Sequence, residues 1–102
     1  MLNNDKFYKW RTMARNPIDG DTQEPLKVKC HGIEFRNVGE VEAKINDFWD
    51  LKPNGEPKFF GFDNPLWVLE DEFKITFKKG QTGVKCVQIA EIVVKNFDYN
   101  DI

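Results

Sequence analysis

A chain of 102 residues, 40% hydrophobic, 14% aromatic and 31% charged, is long enough for one hydrophobic core and too short for two, so one domain over 1–102 is expected. A formal charge of −2 and a sequence pI near 5.4 give no dominant field. That argues against disorder, and against recognition of nucleic acid or membrane by bulk electrostatics.

The start, MLNNDKFYKW, lacks the apolar stretch of a signal peptide, and no apolar run approaches the roughly 18 residues that cross a bilayer. Two cysteines cannot build a disulfide framework. A cytoplasmic protein with reduced thiols is expected.

In chain order, Phe7, Trp10, Met13 and Ala14 recur at helical spacing. Asn3 or Asn4 is placed to cap and Asn16-Pro17 to terminate, which predicts a helix over 4–15. Residues 16–25, with two prolines, a glycine and three acids, read as an exposed connector. In KVKCHGIEFR, a two-residue loop at His31-Gly32 pairs Cys30 with Ile33 and Val28 with Phe35, with Lys29 opposite Glu34. One apolar and one charged face result, and a hairpin over 26–36 is expected.

From Val38 to Leu51, the residues Val38, Val41, Ile45 and Phe48 fall at spacings of three and four with Trp49 beside them. This favours a helix. A strand through Val41, Ala43 and Ile45 is the rival reading. Strands follow over 58–97. KFFGF is short and aromatic, and EFKITFK alternates Phe73, Ile75 and Phe77 against Lys74, Thr76 and Lys78.

A loop at Gly80-Gln81 then pairs Phe77 with Val84 and Ile75 with Cys86. That register sends Gln88 inward unless a bulge near Val87 to Ala90 resets the face. IAEIVVKNF suits a central strand, and the tail 98–102 is expected to be loose. The fold expected is α+β: a mostly antiparallel sheet or small half-open barrel of about five to six strands with two short helices packed on it.

Few residue sets could carry chemistry. Cys30, His31 and Cys86 are the only thiol and imidazole groups. Adjacent side chains on a strand point to opposite faces, so Cys30 and His31 read as a buried thiol and a turn residue rather than metal ligands. The chain has no serine, and a Cys86–His31 pair would have to meet across strands. Glu70, Asp71 and Glu72 read as a solvated run before a strand, and Asp19 to Glu24 lacks the ligand spacing of a calcium loop. No catalytic residue, metal or cofactor is assigned, and the protein is not expected to be an enzyme.

KFFGF resembles the RNA-stacking strand of RNA-recognition-motif proteins at Lys58, Phe60, Gly61 and Phe62. The glycine that family places at Phe59, the apolar residue at Asp63 and the aromatic at Pro65 are missing, and the following chain reads as strands. The family is not assigned.

Stacking chemistry is separable from that family. Phe59, Phe60, Phe62 and Trp67 form an aromatic cluster followed by the acids Asp63, Glu70, Asp71 and Glu72. A protein-binding surface with rings as anchors and acids facing a basic partner is the leading expectation. In composition alone, such a small, serine-free, aromatic-rich and mildly acidic chain is similar to accessory or inhibitor proteins of phages and mobile elements. The alternatives are a single-stranded nucleic-acid binder using Lys74, Lys78, Lys79 and Lys85, and a small-molecule pocket between the 38–51 helix and the sheet. Pairing of an edge strand across a two-fold axis leaves a homodimer open.

Overall fold

The computed structural model describes residues 6–61 and 67–98, and side chains for 12–61 and 67–93. These residues contain no helix. They form nine strands: β1 Lys6–Ala14, β2 Leu26–Cys30, β3 Gly32–Asn37, β4 Ala43–Ile45, β5 Trp49–Leu51, β6 Lys58–Gly61, β7 Leu69–Phe73, β8 Ile75–Phe77 and β9 Val87–Asp98. They pair, always antiparallel, as a four-stranded sheet in the order β1-β9-β3-β6, a three-stranded sheet β5-β4-β8 and a ribbon β2-β7. The fold is all-β, which overturns the α+β expectation with its two helices and about five to six strands. No helix among the described residues is long and apolar enough to cross a membrane.

The first predicted helix is instead β1, paired with β9 from Lys6↔Asp98 to Ala14↔Ala90. Its sequence is rich in Phe, Tyr, Trp and Thr, which favour extended backbone. A helix this short gains little without tertiary support, whereas β9 satisfies a full row of backbone groups. β9 lies between β1 and β3, the central position its two-sided apolar character implied.

The second predicted helix is a hairpin. Asn46 and Asp47 adopt φ of 53° and 57°, and Phe48 N donates to Ile45 O at 3.1 Å. Positive φ at both central positions matches a type I′ turn and cannot continue a right-handed helix. Val41, Ala43 and Ile45 are buried with period two, as in the rival strand reading, while Val38 and Phe48 are exposed.

The predicted hairpin at His31-Gly32 is absent. The chain bends at His31 and changes partners: β2 pairs with β7, and β3 with β9 and β6. Val28, Cys30, Ile33 and Phe35 nevertheless all face the core, because a bend with one residue of offset reverses side-chain parity just as a hairpin does. Lys29 therefore opposes Glu70 rather than Glu34.

The expected pairing of Phe77 with Val84 is replaced by Phe77 with Ala43. The β3–β9 register runs unbroken from Asn37↔Val87 to Gly32↔Ile92, so Val87 and Ile89 point inward and Gln88 outward with no bulge. β9 extends to Asp98, and the rest of the tail lies outside the described residues.

The core is shared among the sheets: Val28, Cys30, Ile33 and Phe35 meet Val41, Ala43, Ile45 and Leu51, with Phe73, Ile75, Phe77, Val87 and Ile89. The connector closes one edge of the three-stranded sheet. Thr22 N donates to Ile75 O at 2.9 Å, Ile75 N donates to Thr22 Oγ1 at 3.1 Å, and Phe77 N donates to Asp21 Oδ1 at 2.7 Å. A strand edge tied up in this way offers no template for further pairing.

Among the described residues one polar side chain lies inside, that of Asn37 at 2% exposure. Its Nδ2 donates to Val41 O at 2.8 Å and to Leu51 O at 2.9 Å. Its Oδ1 accepts from Gly39 N at 3.0 Å, and its carbonyl accepts from Asn54 N at 3.1 Å. Beside it, Glu40 N donates to Val84 O at 2.6 Å. A Cβ at Gly39 would press on Val84 O and lie 2.7 Å from Cys86 N, so these two segments approach this closely only through glycine.

Asn37→Ala removes two buried bonds to carbonyls and one to an amide and should destabilise by about 3 kcal/mol. Gly39→Ala should cost about 1–3 kcal/mol. Urea unfolding monitored by tryptophan fluorescence measures both.

Candidate protein-binding surface

An aromatic series leads from the core to the surface. Phe35 and Phe73 are buried with ring centroids 5.1 Å apart. Phe60 on β6 packs on both, at 6.1 Å and 5.2 Å. Trp49 on β5 meets Phe60 edge-on at 5.7 Å, and Phe48 meets Trp49 at 4.8 Å and 86°. Edge-to-face geometry recurs because ring edges are positive and ring faces negative. Exposure rises along the series to 39% at Trp49 and 71% at Phe48. Lys58 Nζ stands 5.1 Å from the Trp49 ring centroid, a cation–π contact.

The tip carrying Phe48 is anchored at its base. Asn46 N donates to Lys74 O at 2.8 Å, Lys74 N donates to Asn46 Oδ1 at 2.7 Å, and Lys74 Nζ lies 3.3 Å from Asp47 Oδ2. Asn46 Nδ2 also donates to Glu72 O at 3.5 Å, so the turn is joined to β7 and its junction with β8 at four points. An exposed ring on such a base loses little conformational entropy when covered.

β6 is an end strand of its sheet, so Phe59 and Phe60 take opposite sides. Phe60 turns inward. Phe59 turns out, 50% exposed, with its ring over the Gly32–Gly61 pair. A Cβ on Gly32 would lie 2.6 Å from Phe59 Cζ, and one on Gly61 2.7 Å from the Gly32 Cα. The paired glycines make a flat seat that the ring covers. Trp67 and Val68 are also exposed, at 59% and 45%. Phe62 and Asp63 lie outside the described residues.

The remaining predicted site residues are elsewhere. Glu70, Asp71 and Glu72 belong to β7 rather than to a turn before a strand, opposite Lys29, Val28 and Lys27. All three are exposed, with Glu70 and Glu72 paired in register with lysines and Asp71 with Val28. Lys74 faces Asp47 at 3.3 Å and Lys78 faces Glu42 at 3.9 Å. Lys85 lies over the Phe77 ring at 5.9 Å and Lys79 is exposed. Lys74 and Lys78 flank β8 at alternating exposed positions, each facing an acid. The pocket expected against a 38–51 helix has no helix to wall it.

Sequence reasoning missed Phe48 and Trp49 as surface residues by placing them on a helical stripe. The signal available was Asn46-Asp47, a pair tolerant of positive φ, between the alternating segments Ala43–Ile45 and Trp49–Leu51.

Cys30 is buried and Cys86 half-buried. Burial, and then the negative charge of Glu91, hold the Cys30 thiol above its ordinary pKa. Glu91 itself pairs with Arg15 at 3.2 Å. Among the described residues, no three or more His, Cys, Asp or Glu side chains are grouped to hold a metal ion.

No known family model matches the chain, and comparisons with curated proteins and with solved structures returned no match.

Phe60→Ala should cost about 3 kcal/mol because its ring joins the core. Phe48→Ala should stay within about 0.5 kcal/mol of wild type. Thermal or urea unfolding separates the two. Iodoacetamide should modify Cys86 well before Cys30 under native conditions, since only the thiolate reacts and Cys30 is both covered and held protonated. Peptide mass mapping reads the order.

Proposed function

We propose that this protein is a non-catalytic protein-binding module whose contact surface is the aromatic rim formed by Phe48, Trp49 and Phe59, backed by Phe60 and with Lys58 against the Trp49 ring. The observation that carries this reading is the ring series from Phe35 and Phe73 out to Phe48. A large, anchored and mostly exposed aromatic costs solvation in the free protein, and burying it in a partner recovers that cost. Rings of this kind, rigid and backed by a packed core, are the usual anchors of protein interfaces.

This differs in its residues from the surface read from sequence: Phe48 and Trp49 enter, while Glu70, Asp71 and Glu72 leave. Trp67, from the surface read from sequence, is exposed. The pairing of Lys74 with Asp47 and of Lys78 with Glu42 favours a protein partner over a nucleic acid, because a phosphate backbone would have to displace both carboxylates. A role as an accessory or inhibitor protein is compatible with a small binding module, and rests on composition alone.

The test is affinity capture with the full chain against lysate of its source cells. Wild type should retain a defined protein at fixed stoichiometry. Phe48→Ala should lower its affinity by about thirtyfold, the loss typical of a hot-spot ring, with unchanged circular dichroism and unfolding midpoint. Equal retention by wild type and Phe48→Ala would contradict the reading.

A further inference from the structure

The four-stranded sheet ends at β6, and among the described residues the outward backbone groups of Lys58–Gly61 have no pairing partner. Exposed edges are usually blunted by covering segments, charge or proline. The edge of β8 shows this, covered by Asp21 and Thr22. β1, at the other end of the four-stranded sheet, carries Lys6, Lys9 and Arg11 in its sequence. β6, four residues long and preceded by Pro57, is covered by no described segment and carries a single charge. Its one charged residue, Lys58, sits on the face of Trp49.

A strand laid against β6 would run between two apolar walls, Phe59 on one side of the sheet and Trp49 with Phe60 on the other. It would also meet Lys58. The neighbouring ammonium groups are already answered, Lys44 by Asp50 at 3.5 Å and Lys74 by Asp47 at 3.3 Å. None of the ion pairs among the described residues involves Lys58. Among the described residues, the site therefore presents an unpaired strand edge, apolar walls at alternate positions and one cation without a carboxylate.

We propose that β6 is a strand-addition site for an extended segment of a partner protein, apolar at alternate positions and bearing an aspartate or glutamate on the Lys58 side. Main-chain hydrogen bonds along β6 supply register, the rings supply burial and the carboxylate selects orientation. A second copy of β6 does not meet these demands: Lys58, Phe59, Phe60 and Gly61 bring no acid. The proposal rests on the aromatic rim being a protein-binding surface and adds the backbone edge and the acidic determinant.

The experiment pans a random linear peptide library against the immobilised full chain and titrates the synthetic consensus peptide into labelled protein by NMR. The consensus should contain Asp or Glu among alternating apolar residues, and the largest amide shifts should fall on Lys58–Gly61. Lys58→Glu should weaken binding about tenfold and Lys58→Gln less, with both variants checked for native dispersion. N-methylation of alternate peptide amides should weaken it comparably.

If Phe48→Ala abolishes peptide binding while N-methylation and Lys58→Glu do not weaken it, the rim stands and strand addition is overturned. If no peptide is selected and Phe48→Ala also leaves lysate retention unchanged, both readings fall. If no peptide is selected and sedimentation shows a dimer dispersed by Lys58→Glu, a second copy occupies the edge and the proposal is overturned.

Discussion

The side-chain amide of Asn37 joins the two larger sheets. It sits at the end of β3, 2% exposed, and its Nδ2 reaches the carbonyls of Val41 and Leu51 on either side of the β4–β5 hairpin. A buried amide with donors and acceptor all satisfied holds one arrangement strongly, because every alternative strands polar groups away from water. The consequence reaches the surface. Docking β5 against the β3–β6 side sets Trp49 beside Phe60, and with it the position of Phe48 and the seat of Lys58. Apolar packing alone would leave that docking less defined, since non-directional contacts tolerate sliding.

The inward faces of β2, β3 and β8 were legible in the sequence while the pairing of strands was not. Phe73, Ile75 and Phe77 alternate and are buried as the pattern required. Val28, Cys30, Ile33 and Phe35 were also placed correctly on one face. That fact could not discriminate a hairpin from a bend, because both reverse parity between Cys30 and Ile33. The partners that decide the matter, Leu69 to Phe73 for β2 and Val87 to Ile92 for β3, lie between 39 and 60 residues away at the paired positions. Local patterns carry no information on such pairings.

Two helices were read where none forms, for separate reasons. In β1 the coincidence was Phe7 and Trp10 three apart in a segment whose composition favours strand. In 38–51 the stripe mixed buried and exposed residues: Val41 and Ile45 face the core, Val38 and Phe48 face solvent. Asn46-Asp47 carried the contrary signal. The candidate site was accordingly half legible. Phe59, Phe60 and Lys58 stood out as an aromatic strand, whereas Phe48 and Trp49 join them only through the Asn37 tie and the turn anchored on Lys74.

Nuclear Overhauser contacts of the Asn37 side-chain amide, measured on nitrogen-labelled protein, test this account most directly. It predicts a slowly exchanging Nδ2 pair with contacts to the segments around Val41 and Leu51, together with Trp49 ring protons touching Phe60. A rapidly exchanging Asn37 amide, or sequential amide–amide contacts characteristic of a helix across 38–51, would contradict it.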